Sequence, residues 1–100
     1  MAKKIKWSPE AVADRIRILD YWVERTGNKR YSRKLDKAFR EVVTMLSRSP
    51  EIGREVENRE ERYFVKGNYL VFYQIREDSI DILHLWDGRR NPDDLKLSDQ

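Results

Sequence analysis

One hundred residues and 12.1 kDa make a single domain, with room for one modest core and none for separate cofactor and substrate domains. The absence of Cys and the presence of one His exclude disulfides, thiolate metal sites and multi-His metal centres, so neither a metal nor another cofactor is expected. Net charge is +3, but residues 1–50 carry 13 basic and 6 acidic groups while residues 51–100 carry 8 and 12, so the first half suits an acidic partner or a well-solvated surface.

Charged and hydrophobic residues each make up 39%, and mean hydropathy is −0.88. An aromatic content of 11% argues against disorder. The opening Met1-Ala2-Lys3-Lys4-Ile5-Lys6 is charged with no apolar stretch behind it, so no signal peptide is expected. No apolar run approaches the roughly 20 residues of a membrane span, so no membrane partner is expected either.

Lys4-Ile5-Lys6-Trp7 alternates and reads as a short strand. Ser8-Pro9-Glu10 is a helix start, with Ser8 as the cap, Pro9 at the first helical position and Glu10 near the positive end of the dipole. Val12, Ile16, Leu19 and Val23 follow at helical spacing, flanked by Ala11, Ile18 and Trp22. Thr26-Gly27-Asn28 should end this helix. A second helix is expected from about Lys29 to Arg48, with Tyr31, Leu35, Ala38, Val42 and Met45 on one stripe, widened by Phe39, Val43 and Leu46. The short connection predicts an antiparallel helical hairpin, closed by Ser49-Pro50.

The period then changes. Residues 62–66, 69–76 and 79–86 read as strands, with hairpin turns at Gly67-Asn68 and near Glu77-Asp78. Tyr69-Leu70-Val71-Phe72-Tyr73 is apolar on both faces. One face should pack on the helices, and the other should be covered or be a working surface. The expected fold is α+β: an N-terminal strand, an antiparallel helical hairpin and a three-stranded antiparallel meander, forming one twisted sheet with the helices on one face.

No glycine-rich phosphate loop, metal-binding histidine pair or nucleophile elbow is present. What remains is a basic and aromatic set near the C-terminal strands, including Arg62, Tyr63, Tyr73, His84, Trp86, Arg89 and Arg90. Such groups can hold phosphates and stack bases. Metal-free RNA cleavage needs only a base, a cation and an acid. Arg62, His84 and Arg89 are the catalytic candidates, and Arg62, Tyr63, Arg89 and Arg90 the target-binding ones. Each has a plainer reading. His84 alternates with Ile80, Ile82 and Trp86 and reads first as a packed strand histidine. Trp86 and Tyr73 suit sheet packing, and Arg89 and Arg90 adjoin Asp87, Asp93 and Asp94. The Arg30–Arg40 stripe reads as a solvated helix face.

Several ordered motifs together resemble the RelE/ParE toxin superfamily, in particular its plasmid-stabilisation branch. They are Trp7-Ser8-Pro9-x-Ala11 with Asp14, Ile18 and Tyr21-Trp22; Leu46-x-x-x-Pro50-x-x-Gly53; and Tyr69-Leu70-Val71-Phe72-Tyr73-x-Ile75. The last is Ile80-x-Ile82-Leu83-x-Leu85-Trp86-Asp87-Gly88-Arg89-Arg90-Asn91-Pro92-x-x-Leu95. The resemblance spans about residues 4–95 of a single domain covering 1–100. It implies a small cytoplasmic toxin neutralised by a cognate antitoxin in a hetero-oligomer. It also implies growth arrest, by inhibition of DNA gyrase as in ParE-like members or by ribosome-dependent mRNA cleavage as in RelE-like ones. Several of the ribosome-dependent nucleases carry an arginine at the start of the central strand, where this sequence has Tyr69. Some place a histidine or tyrosine after the last strand, where this sequence reads Gly88-Arg89-Arg90. The opening helix is more similar to ParE-like members. The alternatives are an inactive member that only binds an antitoxin, and a small nucleic-acid-binding protein.

Overall fold

The computed structural model describes residues 2–88. Strand β1 (Lys4–Trp7) is followed by helix α1 (Pro9–Thr26). Ser8 makes the transition. Its Oγ accepts from the Ala11 N–H at 2.9 Å, capping one of the orphan donors at the helix start, and its own N–H donates to the Ile82 carbonyl at 2.9 Å. Gly27 ends α1 with φ 78°, the left-handed conformation that residues with a Cβ adopt at a cost. Helix α2 (Arg30–Arg48) returns against α1. A short 3-10 turn, Pro50–Ile52, leads to β2 (Arg54–Glu55), β3 (Arg62–Lys66), β4 (Tyr69–Ile75) and β5 (Ser79–Asp87).

The sheet order is β1-β5-β4-β3-β2, with β1 parallel to β5 and the other pairs antiparallel. The architecture is the α+β arrangement expected from the sequence, with one addition. The two-residue β2 makes the sheet five-stranded by pairing with Arg62 and Tyr63. Two residues are too few to show a period-2 pattern, so this strand has no signal in the sequence. Gly67 takes φ 60° at the first central position of the β3–β4 turn, where a two-residue hairpin loop favours glycine.

The core lies between the helices and one sheet face. Ala11 and Ile18 of α1, and Leu35, Phe39, Val42, Val43 and Leu46 of α2, meet Tyr69, Val71, Tyr73, Ile80, Ile82 and Leu85. The expected α1 stripe is therefore rotated. Ala11, Ile18 and Trp22 face inward, whereas Val12 and Ile16 are exposed. The reason is that two polar residues belong to the inner side. Arg15 bonds Asp36 of α2 at 2.6 Å and stacks over the Trp7 ring at 4.9 Å, while Asp14 reaches β5. The α2 stripe is also displaced, toward Phe39 and Leu46, leaving Tyr31 exposed at the rim.

The alternation in β5 breaks in the middle. Tyr73 pairs with Ile82, but its neighbour Phe72 pairs with His84, so Leu83 is an extra residue. Ile80 and Ile82 face the helices before this bulge, and Leu85 does so after it. His84 and Trp86 are thereby placed on the opposite face, paired with Phe72 and Leu70. This corrects the single alternating set of Ile80, Ile82, His84 and Trp86 read from the sequence.

Candidate functional site

The target-binding candidates divide between the two faces of the sheet. Arg62 opens β3 opposite Tyr73, on the helix side. Its guanidinium is occupied locally. It donates to the carbonyls of Gly53 at 3.0 Å and Glu51 at 3.3 Å, and to the Glu55 carboxylate at 3.0 Å. Arg62 is thus a strap that holds the turn before β2 onto β3. A phosphate at this position would compete with three existing acceptors.

Tyr63, one residue on, faces the other way. Tyr63, Phe72 and His84 form a row across β3, β4 and β5 on the face away from the helices. The Tyr63 and Phe72 rings are 5.7 Å apart and tilted by 38°. Val65, Leu70 and Trp86 form the next row. Phe72 and Trp86 are buried, as expected if this apolar face is covered, whereas Val65 is 52% exposed. Arg89 and Arg90 lie outside the described residues, so the structure brings together Tyr63 and His84 from the candidate set and separates Arg62 from them.

His84 is held by a residue that the sequence reading gave no role. Asp14 Oδ2 lies 3.4 Å from His84 Nδ1 and accepts the Leu85 N–H at 3.1 Å, while its Oδ1 accepts from Arg17 at 2.7 Å. The geometry follows from the topology. The register of β1 ends at Trp7–Ile82, so β5 runs on beyond its parallel neighbour with an open edge. α1 covers that edge, and the Asp14 carboxylate receives a strand N–H there. Burial pushes the Asp14 carboxyl up, but hydrogen bonds from His84, Arg17 and the Leu85 amide outweigh it and leave its pKa below the ordinary 3.8. The signal in the sequence was spacing. Asp14 stands three residues after Ala11 and four before Ile18, an acid in the inner stripe of an amphipathic helix.

A second buried polar knot secures the other end of the sheet. The Tyr73 hydroxyl donates to the Pro50 carbonyl at 2.5 Å and accepts the Gly53 N–H at 3.0 Å. Burial raises the Tyr73 pKa, against the Gly53 hydrogen bond and the Arg62 charge, which lower it. Glycine is required at 53 because a Cβ there would stand 2.3 Å from the Tyr73 hydroxyl oxygen. Tyr69 is buried as well. It accepts a hydrogen bond from the Trp22 indole at 2.7 Å and meets Phe39 edge-on at 5.5 Å. Among the described residues there is no cluster of acidic, His or Cys side chains able to hold a metal, and no helix long and apolar enough to cross a membrane.

No match is found among curated proteins. A solved structure described as the chromosomal ParDE TA system from P. aeruginosa is similar in fold, with a TM-score of 0.73 and 23% identity. The similarity covers 84% of this chain and 94% of that one. The family model described as "ParE toxin of type II toxin-antitoxin system, parDE" matches residues 5–92. That span takes in the capped α1, the Pro50–Gly53 knot and the central strands, and the chain belongs to the ParE toxin family of the RelE/ParE superfamily.

Proposed function

We propose that this chain is a growth-arresting toxin that inhibits DNA gyrase and is neutralised by a cognate antitoxin. The observation that carries the choice of target is Tyr69. At the position where several of the ribosome-dependent nucleases carry an arginine, this chain has a tyrosine that is 4% exposed and packed in the core. A side chain in that setting offers no cation to a scissile phosphate. Arg62 is tied to Glu51, Gly53 and Glu55, and the Nδ1 of His84 faces Asp14. These engagements suit structural roles better than the base and cation of a cleavage site.

An antitoxin segment has a fitting place at the β3 edge. β2 pairs only with Arg62 and Tyr63, so Phe64–Lys66 have no further strand beside them among the described residues. A groove of about 300 Å³ between this edge and α2 is lined by Ala38, Val42, Met45, Phe64 and Val65. An extended apolar segment can add backbone hydrogen bonds at such an edge and place side chains in the groove.

The test pairs two reactions with one protein preparation. Supercoiling by gyrase is expected to be blocked by the purified chain, and the block to be relieved by the antitoxin encoded beside it. Message is expected to stay intact when the chain is added to translating ribosomes. Ribosome-dependent cuts within codons would overturn the gyrase reading and make Arg62, His84 and Arg89 the residues to substitute.

A further inference from the structure

The outward face of α2 is cationic over its first three turns, from Arg30 to Arg40, and again at Arg48, with Glu41 and Thr44 on the same face between them. Arg30, Arg33, Lys34, Lys37, Arg40 and Arg48 are all exposed. Nineteen residues place the two ends of this row about 27 Å apart at ~1.5 Å per residue. Among the described residues, Arg40 alone of the six has an ion pair, with Asp36 at 3.4 Å, and Asp36 is already bonded by Arg15. The solvent face offers one other acid, Glu41. A groove of about 500 Å³ runs along the C-terminal half of the row, lined by Lys37, Arg40, Glu41, Thr44, Met45 and Arg48.

Folding accounts for only part of this arrangement: Asp36 with Arg40 and Lys37 with Glu41 are opposite charges four residues apart, but the like-charge spacings outnumber them. Arg30 and Lys34, and Arg33 and Lys37, are like charges four residues apart; Lys34 and Lys37, and Lys37 and Arg40, are three apart. Such pairs destabilise a helix. Arg30 and Arg33 also sit in the first turn, against the positive end of the dipole, and that turn has no acidic residue, its one side-chain acceptor being the neutral Asn28 Oδ1 on the Arg30 N–H at 2.9 Å. A row that costs stability and has few internal partners is explained by an external polyanion.

We infer that the outward face of α2 binds the phosphate backbone of double-stranded DNA, without regard to sequence. Three features favour a duplex over other polyanions. The exposed centre of the row, Arg33, Lys37, Arg40, Glu41 and Thr44, has no aromatic or large apolar anchor of the kind that carries protein–protein affinity, and the apolar Met45 beside it is half-buried. It has no aromatic platform on which single-stranded bases stack, since exposed Tyr21 and Tyr31 are engaged edge-on with Trp22 at the hairpin tip. A helix with cations on each turn from Arg30 to Arg40 fits within the wide groove of B-form DNA, whereas the major groove of A-form RNA is too narrow for one. The surface lies away from Tyr63 and adjoins the β3-edge groove, with which its own groove shares Glu41 and Met45. DNA binding there holds or fails independently of toxicity and of the gyrase reading.

The experiment measures binding of the purified chain to a short labelled DNA duplex of arbitrary sequence across a salt series. Neutralising about four phosphates gives a slope of log K against log salt near −3.6, at about −0.9 per phosphate. The variant Arg33→Gln with Lys37→Gln is expected to bring that slope closer to zero by about 2, with an unchanged or higher Tm because like charges are removed. The control Lys4→Gln with Lys6→Gln removes the same net charge from exposed β1 and is expected to leave the slope within about 0.5 of the parent. Equal losses in the two variants, a slope shallower than about −1, or tighter binding to poly-glutamate or single-stranded RNA than to the duplex would each overturn the inference.

Discussion

Gly53 and Tyr73 set the tolerance of one end of the sheet. The Tyr73 phenol reaches two backbone groups of the Pro50–Gly53 segment, and the absence of a side chain at 53 leaves the space for it. A methyl group there would also meet the Tyr63 carbonyl oxygen at 2.9 Å, so neither the ring nor the strand backbone can give way freely. Gly53→Ala is expected to cost about 1–3 kcal/mol through overpacking, read as a Tm lowered by at least roughly 4 °C for a domain of this size. An unchanged Tm would show that the turn relaxes away from Tyr73. Arg62 depends on the same segment through the Gly53 carbonyl. A residue chosen from the sequence as a phosphate contact is therefore part of the scaffold, and its substitution would disturb fold and function together.

Ser8 joins helix to sheet. Its hydroxyl caps α1 through Ala11, and it donates to the carbonyl of Leu83, the extra residue of the β5 bulge, at 2.9 Å. The cap and the bulge are thus stabilised by one oxygen. Ser8→Ala is expected to destabilise the protein by about 1–2 kcal/mol, at the upper end of ordinary cap losses because two bonds are lost. Urea unfolding checks this, with a lower midpoint at unchanged slope as the expected result. The cap itself was legible from Ser8-Pro9-Glu10. Its second bond was not, since Leu83 is 75 residues away in the chain.

Acid stability tests the closure of the whole molecule along the α1–β5 edge. The pKa of Asp14 in the folded chain lies below the ordinary 3.8. Its contribution is therefore fully present above that value and is lost as pH falls through the lower, folded one. Stability is expected to drop on acidification below about pH 4, and Asp14→Asn is expected to flatten that drop while lowering stability at neutral pH. Thermal unfolding across a pH series reads both effects. Parallel curves for parent and variant would mean that other carboxyls govern the acid limb.

The local elements were legible in the linear chain: the Ser8 start and Gly27 stop of α1, the extent of α2, the Gly67-Asn68 hairpin and the three long strands. Each of these rests on dihedral preference or apolar spacing within a few residues, which a linear reading can count. The tertiary structure alone decided which side of each helix faces inward, where β5 changes face, and what Arg62, Tyr69 and Asp14 touch. Polar residues within the inner side of α1 blurred its apolar stripe. A single inserted residue at Leu83 inverted the alternation after Ile82. Tyr69 was legible as a departure from nuclease-like relatives, but its burial against Trp22 and Phe39 required two helices folded onto the sheet. Contacts such as Asp14 with Leu85, 71 residues apart, depend on how those elements are assembled. That assembly is set by burial of the shared core, and no short stretch of sequence encodes it.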